Sequence, residues 1–250
     1  MAPRAFMIMV ALALGAGLTP TTEAAEAAQT SRISAKFTPE HLGAPTTVTF
    51  AFAISAPVGT PAALDHVVVG YPRNLGFATS GLGVAACMPA GLEALGPQAC
   101  PANSKMGDGD ATVEIPIGPE IVREHVTIEV FAGPSPDGYL HILAYVSGRE
   151  PILAQVLLSG VLLPGHLSIV IPPIPSLPAG PYVAVTHMRL TLGGRLVYYE
   201  RRGSRNVPYH PPGVGLPRTC PHGGFAFAAS FGFIDGSHSA AHSAVPCPRR

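Results

Sequence analysis

The chain has 250 residues, carries 15 Lys plus Arg against 15 Asp plus Glu, and is 47% hydrophobic but only 12% charged. The balanced charge argues against a nucleic-acid partner, which requires a surplus of Lys and Arg on one face. Low charge with high apolar content argues against disorder and for a packed core, as one large β-sandwich or two smaller ones.

Arg4 precedes an apolar run from Ala5 to Leu18 with Pro20 close behind. This is the layout of a secretory signal peptide, and the run is shorter than the roughly 20 residues that cross a bilayer. Residues 1–27 are therefore expected to form a leader, cleaved after Ala24 or Ala27, where small residues stand at −3 and −1. No integral membrane span is expected once it is removed.

From Thr47 to Ile54, Val48, Phe50, Phe52 and Ile54 share one face and Thr47, Thr49, Ala51 and Ala53 the other, the period of a half-buried strand. Cys87 and Cys100 then bracket a loop with weak helical character from Ala90 to Leu95. Four cysteines allow three connectivities. The local one, Cys87–Cys100 and Cys220–Cys247, is preferred because each pair brackets a Gly-, Pro- and Ala-rich loop that hydrogen bonds alone hold poorly. A strand is expected from Ala111 to Ile117. Val126, Ile128 and Val130 alternate with polar residues, as do Leu140, Ile142, Ala144 and Val146 with their neighbours, and the intervening Pro134-Ser135-Pro136-Asp137-Gly138 reads as a hairpin loop.

Ile152 to Leu163 is apolar on both faces, which suggests a central strand. Pro172-Pro173-Ile174-Pro175 reads as an extended linker and allows a division into a main sandwich, 28–171, and a carboxy-terminal β unit, 172–250, the alternative being one continuous sandwich. Leu190 and Leu192, Gly193-Gly194, and Arg195 to Tyr199 read as a hairpin with a two-residue turn. In the last long strand Phe225, Phe227, Ala229, Phe231 and Phe233 fall on one face, which helical periodicity would scatter. Gly236 to Ser243 reads as a surface loop.

Cys100-Pro101-Ala102-Asn103-Ser104-Lys105-Met106-Gly107-Asp108-Gly109-Asp110-Ala111 carries a Cys-Pro-x-x-Ser-x-x-Gly-x-Gly pattern. With Leu75-Gly76-Phe77, Cys87, Cys220-Pro221-His222-Gly223-Gly224-Phe225, Asp235-Gly236 and Cys247, it resembles a family of secreted actinobacterial proteins of unknown function. The resemblance implies export and a β-sandwich and assigns no catalytic residue. Asp108 stands where such proteins often carry Thr or Ser. Read physically, the motif is scaffolding: Pro101 fixes φ, Ser104 hydrogen-bonds nearby backbone, and Gly107 and Gly109 permit a bend ahead of the strand.

Motifs with chemistry are sparse. No Gly-x-Ser-x-Gly elbow is present, the nearest stretch being Thr79-Ser80-Gly81. His222, His238 and His242 are weak metal candidates without a completing carboxylate or thiol, and Asp108, Asp110 and Glu114 are ill-spaced for a calcium loop. His41, His66, His125, His141, His166, His187 and His210 default to structural or surface roles. Arg195, Arg201, Arg202 and Arg205 read as a solvated hairpin rather than an anion site. The chain has no tryptophan, which weakens a sugar-binding reading, and Tyr198, Tyr199 and Tyr209 are the candidate substitutes. The sequence therefore predicts an all-β, immunoglobulin-like antiparallel β-sandwich with two local disulfides and no cofactor. It is expected to be an exported, non-catalytic structural or interaction protein of the cell envelope or exterior, with an envelope protein or polymer as partner. The alternative is a secreted hydrolase or metal-dependent enzyme using His.

Overall fold

The computed structural model describes residues 29–78, 82, 85–193, 198–209 and 213–248. The expected leader, Thr79-Ser80-Gly81, Arg195 and His210 lie outside the described residues, as do the side chains of Tyr198 and Tyr209.

The protein is all-β and antiparallel. The strands are β1 (Thr30–Thr38), β2 (Pro45–Ser55), β3 (Leu64–Gly70), β4 (Gly76–Phe77), β5 (Lys105–Ile117), β6 (Glu120–Ala132), β7 (Leu140–Gly148), β8 (Ala154–Leu163), β9 (His166–Val170), β10 (Ala184–Leu192), β11 (Tyr198–Arg202), β12 (Arg205–Tyr209), β13 (Val214–Gly215), β14 (Phe225–Phe233) and β15 (His238–Val245). One short helix, α1 (Pro89–Leu95), sits inside the first cysteine loop.

Thirteen strands form one sheet in the order β15-β14-β3-β9-β8-β7-β6-β5-β10-β2-β13-β4, with β1 on β2. It folds over so that inward faces meet in a sandwich-like core. Phe52 of β2 packs edge-on against Phe231 of β14 with centroids 5.1 Å apart, and Phe37 of β1 against Phe225 at 5.2 Å. The alternating phenylalanines of β14 are all buried, as are Val48, Phe50, Phe52 and Ile54 of β2. The two end strands of the fold-over, β1 and β15, meet through side chains. Ser31 and Ser239 hydroxyls lie 2.6 Å apart, and Gln29 donates to Ser237 Oγ at 3.2 Å.

β8 is hydrogen-bonded on both edges, to β7 and β9, in accord with its apolar faces. β10 lies between β5 and β2, and β14 beside β3, so the chain on both sides of Pro172–Pro175 builds one sheet. The proline segment is a crossover within it. Both edges of β10 are thereby occupied, and this corrects the expected Gly193-Gly194 hairpin. Residues 194–197 of that expected hairpin lie outside the described residues, and β11 pairs with β12 in a separate two-stranded ribbon. Its Arg201, Arg202 and Arg205 are solvent-exposed.

Cys87 is bonded to Cys100 and Cys220 to Cys247, with Cα atoms 4.8 and 5.8 Å apart. The first bridge holds α1 on the outer face of the sheet, where Leu92 and Cys87 form a second small core with Phe131, Leu143 and Tyr145. The second ties the approach to β14 to the end of β15.

The Cys-Pro motif also finds its place. Ser104 is fully buried and donates to Pro101 O at 2.6 Å. Gly107 and Gly109, however, lie within β5 rather than at a bend ahead of it. A Cβ at Gly107 would collide with Thr191 O and one at Gly109 with Arg189 O, so the glycines allow β10 to approach closely.

Candidate functional site

The sheet encloses an apolar cavity of about 160 Å³. Inward residues of ten strands contribute, among them Phe50 and Phe52 of β2, Val67 of β3, Val126 and Ile128 of β6, and Leu158 of β8. Ala144, Val146, Val156, Leu158 and Met188 point inward yet remain half-buried, because space rather than side chains lies opposite them. An apolar cavity of comparable size holds a benzene ring in other proteins.

Two structures bound the interior. The crossover from β9 to β10 must pass over one end of the sheet, since β9 lies between β3 and β8 and β10 between β5 and β2. Its Ile171, Pro172, Ile174 and Val183 line the cavity. This strap is tied to itself by Val183 N–H donating to Ile174 O at 2.9 Å, and to β3 by Ile171 N–H donating to Asp65 O at 2.8 Å. Tyr71 and Phe77, in edge-on contact at 4.7 Å, also line the space. The Tyr71 hydroxyl donates to Leu163 O at 2.6 Å, and burial pushes its phenol above the usual 10.0.

One carboxylate is buried beside this interior, next to the lining rather than part of it. Glu124 stands on the same face of β6 as Val126 and Ile128, directly across from Val113 of β5, and all three of these valines and isoleucines line the cavity. It is only 2% exposed, and its Oε1 has no hydrogen-bond partner. Gly148 of β7 makes room for it, since a Cβ there would collide with that oxygen. Neither residue stood out in the sequence; the available signal was a glutamate at an inward position of a strand otherwise apolar on that face.

The sequence candidates are not brought together. His238 and His242 lie on β15, not in a loop, and an extended strand sets residues four apart at roughly 13 Å. His222 is exposed on the turn before β14. No group of three or more metal-ligating side chains occurs among the described residues. Asp108, Asp110 and Glu114 share the outer face of strand β5 rather than a loop; Asp110 faces His125 at 4.0 Å and Glu114 accepts from Arg123 at 3.0 Å. The exposed aromatics Tyr139, Tyr182 and Tyr199 sit on separate segments, in the β6–β7 loop, the strap and β11.

The arrangement nearest to a catalytic one is an outer cleft lined by Thr112, Glu114, Arg123, Thr186 and His187. His187 Nδ1 lies 3.3 Å from Thr186 Oγ1, but that hydroxyl donates to Thr112 O at 3.2 Å, so its proton is turned to the backbone rather than to the imidazole. His141, near the start of β7, contacts Asp137 of the exposed β6–β7 loop at 2.9 Å, away from the cavity.

Comparison with known protein families, curated proteins and solved structures finds no match. No described helix is long and apolar enough to cross a membrane.

Proposed function

We propose that the protein is exported and acts without catalysis, as a binding protein of the envelope or exterior that holds a small apolar molecule between the layers of its sheet. The observation that carries this reading is the cavity itself. A core of this size ordinarily closes to crystal-like packing, and each void left costs stability. Here an interior space is retained along inward faces from β2 to β14, with an apolar strap across one end. An apolar cavity of this size stays dry and takes up hydrocarbon rather than water.

The leader pattern, the resemblance to secreted actinobacterial proteins and two disulfides that suit an oxidising compartment support export. The non-catalytic reading is supported by Thr186 and His187 not being poised for proton transfer. Calorimetric titration of the mature protein with ethylbenzene tests the binding role. Saturable one-site uptake is expected, and no uptake contradicts it.

A further inference from the structure

The cavity alone would accept any hydrocarbon that fits. Glu124 makes that description incomplete. A buried acceptor with no partner costs about 1–3 kcal/mol or more when charged, and native proteins leave few such groups without a purpose. A carboxylate oxygen accepts hydrogen bonds, so what would satisfy it is a donor.

Its position is as informative as its isolation. Val113, opposite Glu124, pairs on its other side with Val185 of β10, two residues beyond Val183 of the strap. Glu124 therefore stands at the end of the interior over which the strap crosses. Along β6 from it run Val126 and Ile128, both lining the cavity. Glu124 itself is not in the lining but adjoins Val113 and Val126, which are, so a molecule lying along these side chains with its head toward the strap would direct that head to the carboxylate and its body against the apolar walls. Gly148, on the inward face of β7, leaves the carboxylate its place, so the arrangement is built from two strands rather than from one stray side chain.

We propose that Glu124 is a specificity-determining residue of the cavity, selecting an apolar molecule that carries one hydrogen-bond-donating head, an alcohol or an amine. This rests on the apolar-ligand reading above and assigns the ligand its polar end. A carboxylate head is disfavoured by the same geometry, because it would set two acceptors against each other.

The test is a binding cycle with three ligands of one size and shape: ethylbenzene, benzyl alcohol and benzylamine. Each is titrated calorimetrically into the wild-type protein and into Glu124→Leu. A hydrogen bond to a charged acceptor contributes about 1.5–3 kcal/mol, and each 1.4 kcal/mol is a factor of ten. Glu124→Leu should therefore weaken an alcohol or amine at least about tenfold relative to ethylbenzene, whose own affinity is kept or improved. The alcohol and amine arms separate a neutral from a cationic head. Should the leucine variant not fold, Glu124→Gln keeps the shape, removes the charge and should weaken benzylamine relative to ethylbenzene. If all three ligands bind and their relative affinities are the same with and without the carboxylate, the assignment of Glu124 is overturned while the cavity reading stands. If ethylbenzene binds neither protein, the cavity reading falls and the assignment with it.

Discussion

Ser31 and Ser239, 208 residues apart, meet hydroxyl to hydroxyl at 2.6 Å and join the first described strand to the last. No backbone ladder links β1 and β15 among the described residues, so the edges are covered by contact rather than by pairing. Exposed edges invite pairing with other chains, and side-chain closure is one way to blunt them. Ser31→Ala should lower stability by about 0.5–1.5 kcal/mol in urea unfolding, the net worth of one such bond. An unchanged midpoint would show that the seam is held by other contacts.

Gly109, like Gly107, sits where the β10 backbone leaves no room for a Cβ on β5. Gly109→Ala drives a methyl group into Arg189 O and should cost about 1–3 kcal/mol by forcing the strands apart, read by denaturant titration at constant slope. Gly215→Ala controls for the loss of a strand glycine, since that residue has no positive φ and open space around it. A Gly109 variant as stable as the wild type would contradict the close-approach role.

The bridge between Cys87 and Cys100 closes a short loop, at a sequence separation of 13. Replacing both cysteines by serine should cost about 2–4 kcal/mol and release α1 from Phe131, Leu143 and Tyr145. Hydrogen exchange should accelerate in residues 87–100 first. Non-reducing peptide mapping should recover Cys87 with Cys100 and Cys220 with Cys247, and crossed pairs would overturn this connectivity.

Asp137 is held below its ordinary 3.8, chiefly by its hydrogen bond to His141 and then by the Tyr139 N–H. A carboxyl whose folded pKa is depressed adds stability above its unfolded pKa and loses it as pH falls through the folded one. The contribution is thus present at neutral pH and fades only below 3.8. In an NMR titration, His141→Phe should move the Asp137 midpoint upward. An unmoved midpoint would remove His141 as the main cause.

Strands with one strongly apolar face were legible in the sequence. β2 and β14 declare themselves because large side chains alternate with small or polar ones, and burial follows that alternation throughout β2 and in β14 as far as Phe231. β15 was hidden because its inward residues include Ser239, Ala241 and Ser243, too small to mark a period, and the segment passed for a loop. The partner of β11 was illegible for another reason. Local turn chemistry at Gly193-Gly194 suggested a hairpin, while the non-local pairing of β10 with β2 and β5 had already filled both its edges. The cavity was least visible of all. An inward valine reads the same whether a side chain or a space lies across from it, and Glu124 gains meaning only once Gly148 and Val113 are seen around it.

If the interior space takes up an apolar molecule, filling that space must abolish uptake, and Ala144→Phe fills it. Ala144 lines the cavity and is half-buried, so a phenyl ring there fills the space a ligand would occupy. Ethylbenzene should bind the wild-type protein saturably at one site and should not bind Ala144→Phe, while the variant unfolds at least as cooperatively as the wild type. Equal binding by the folded variant, or none by the wild type, would show that the interior space is not a ligand site.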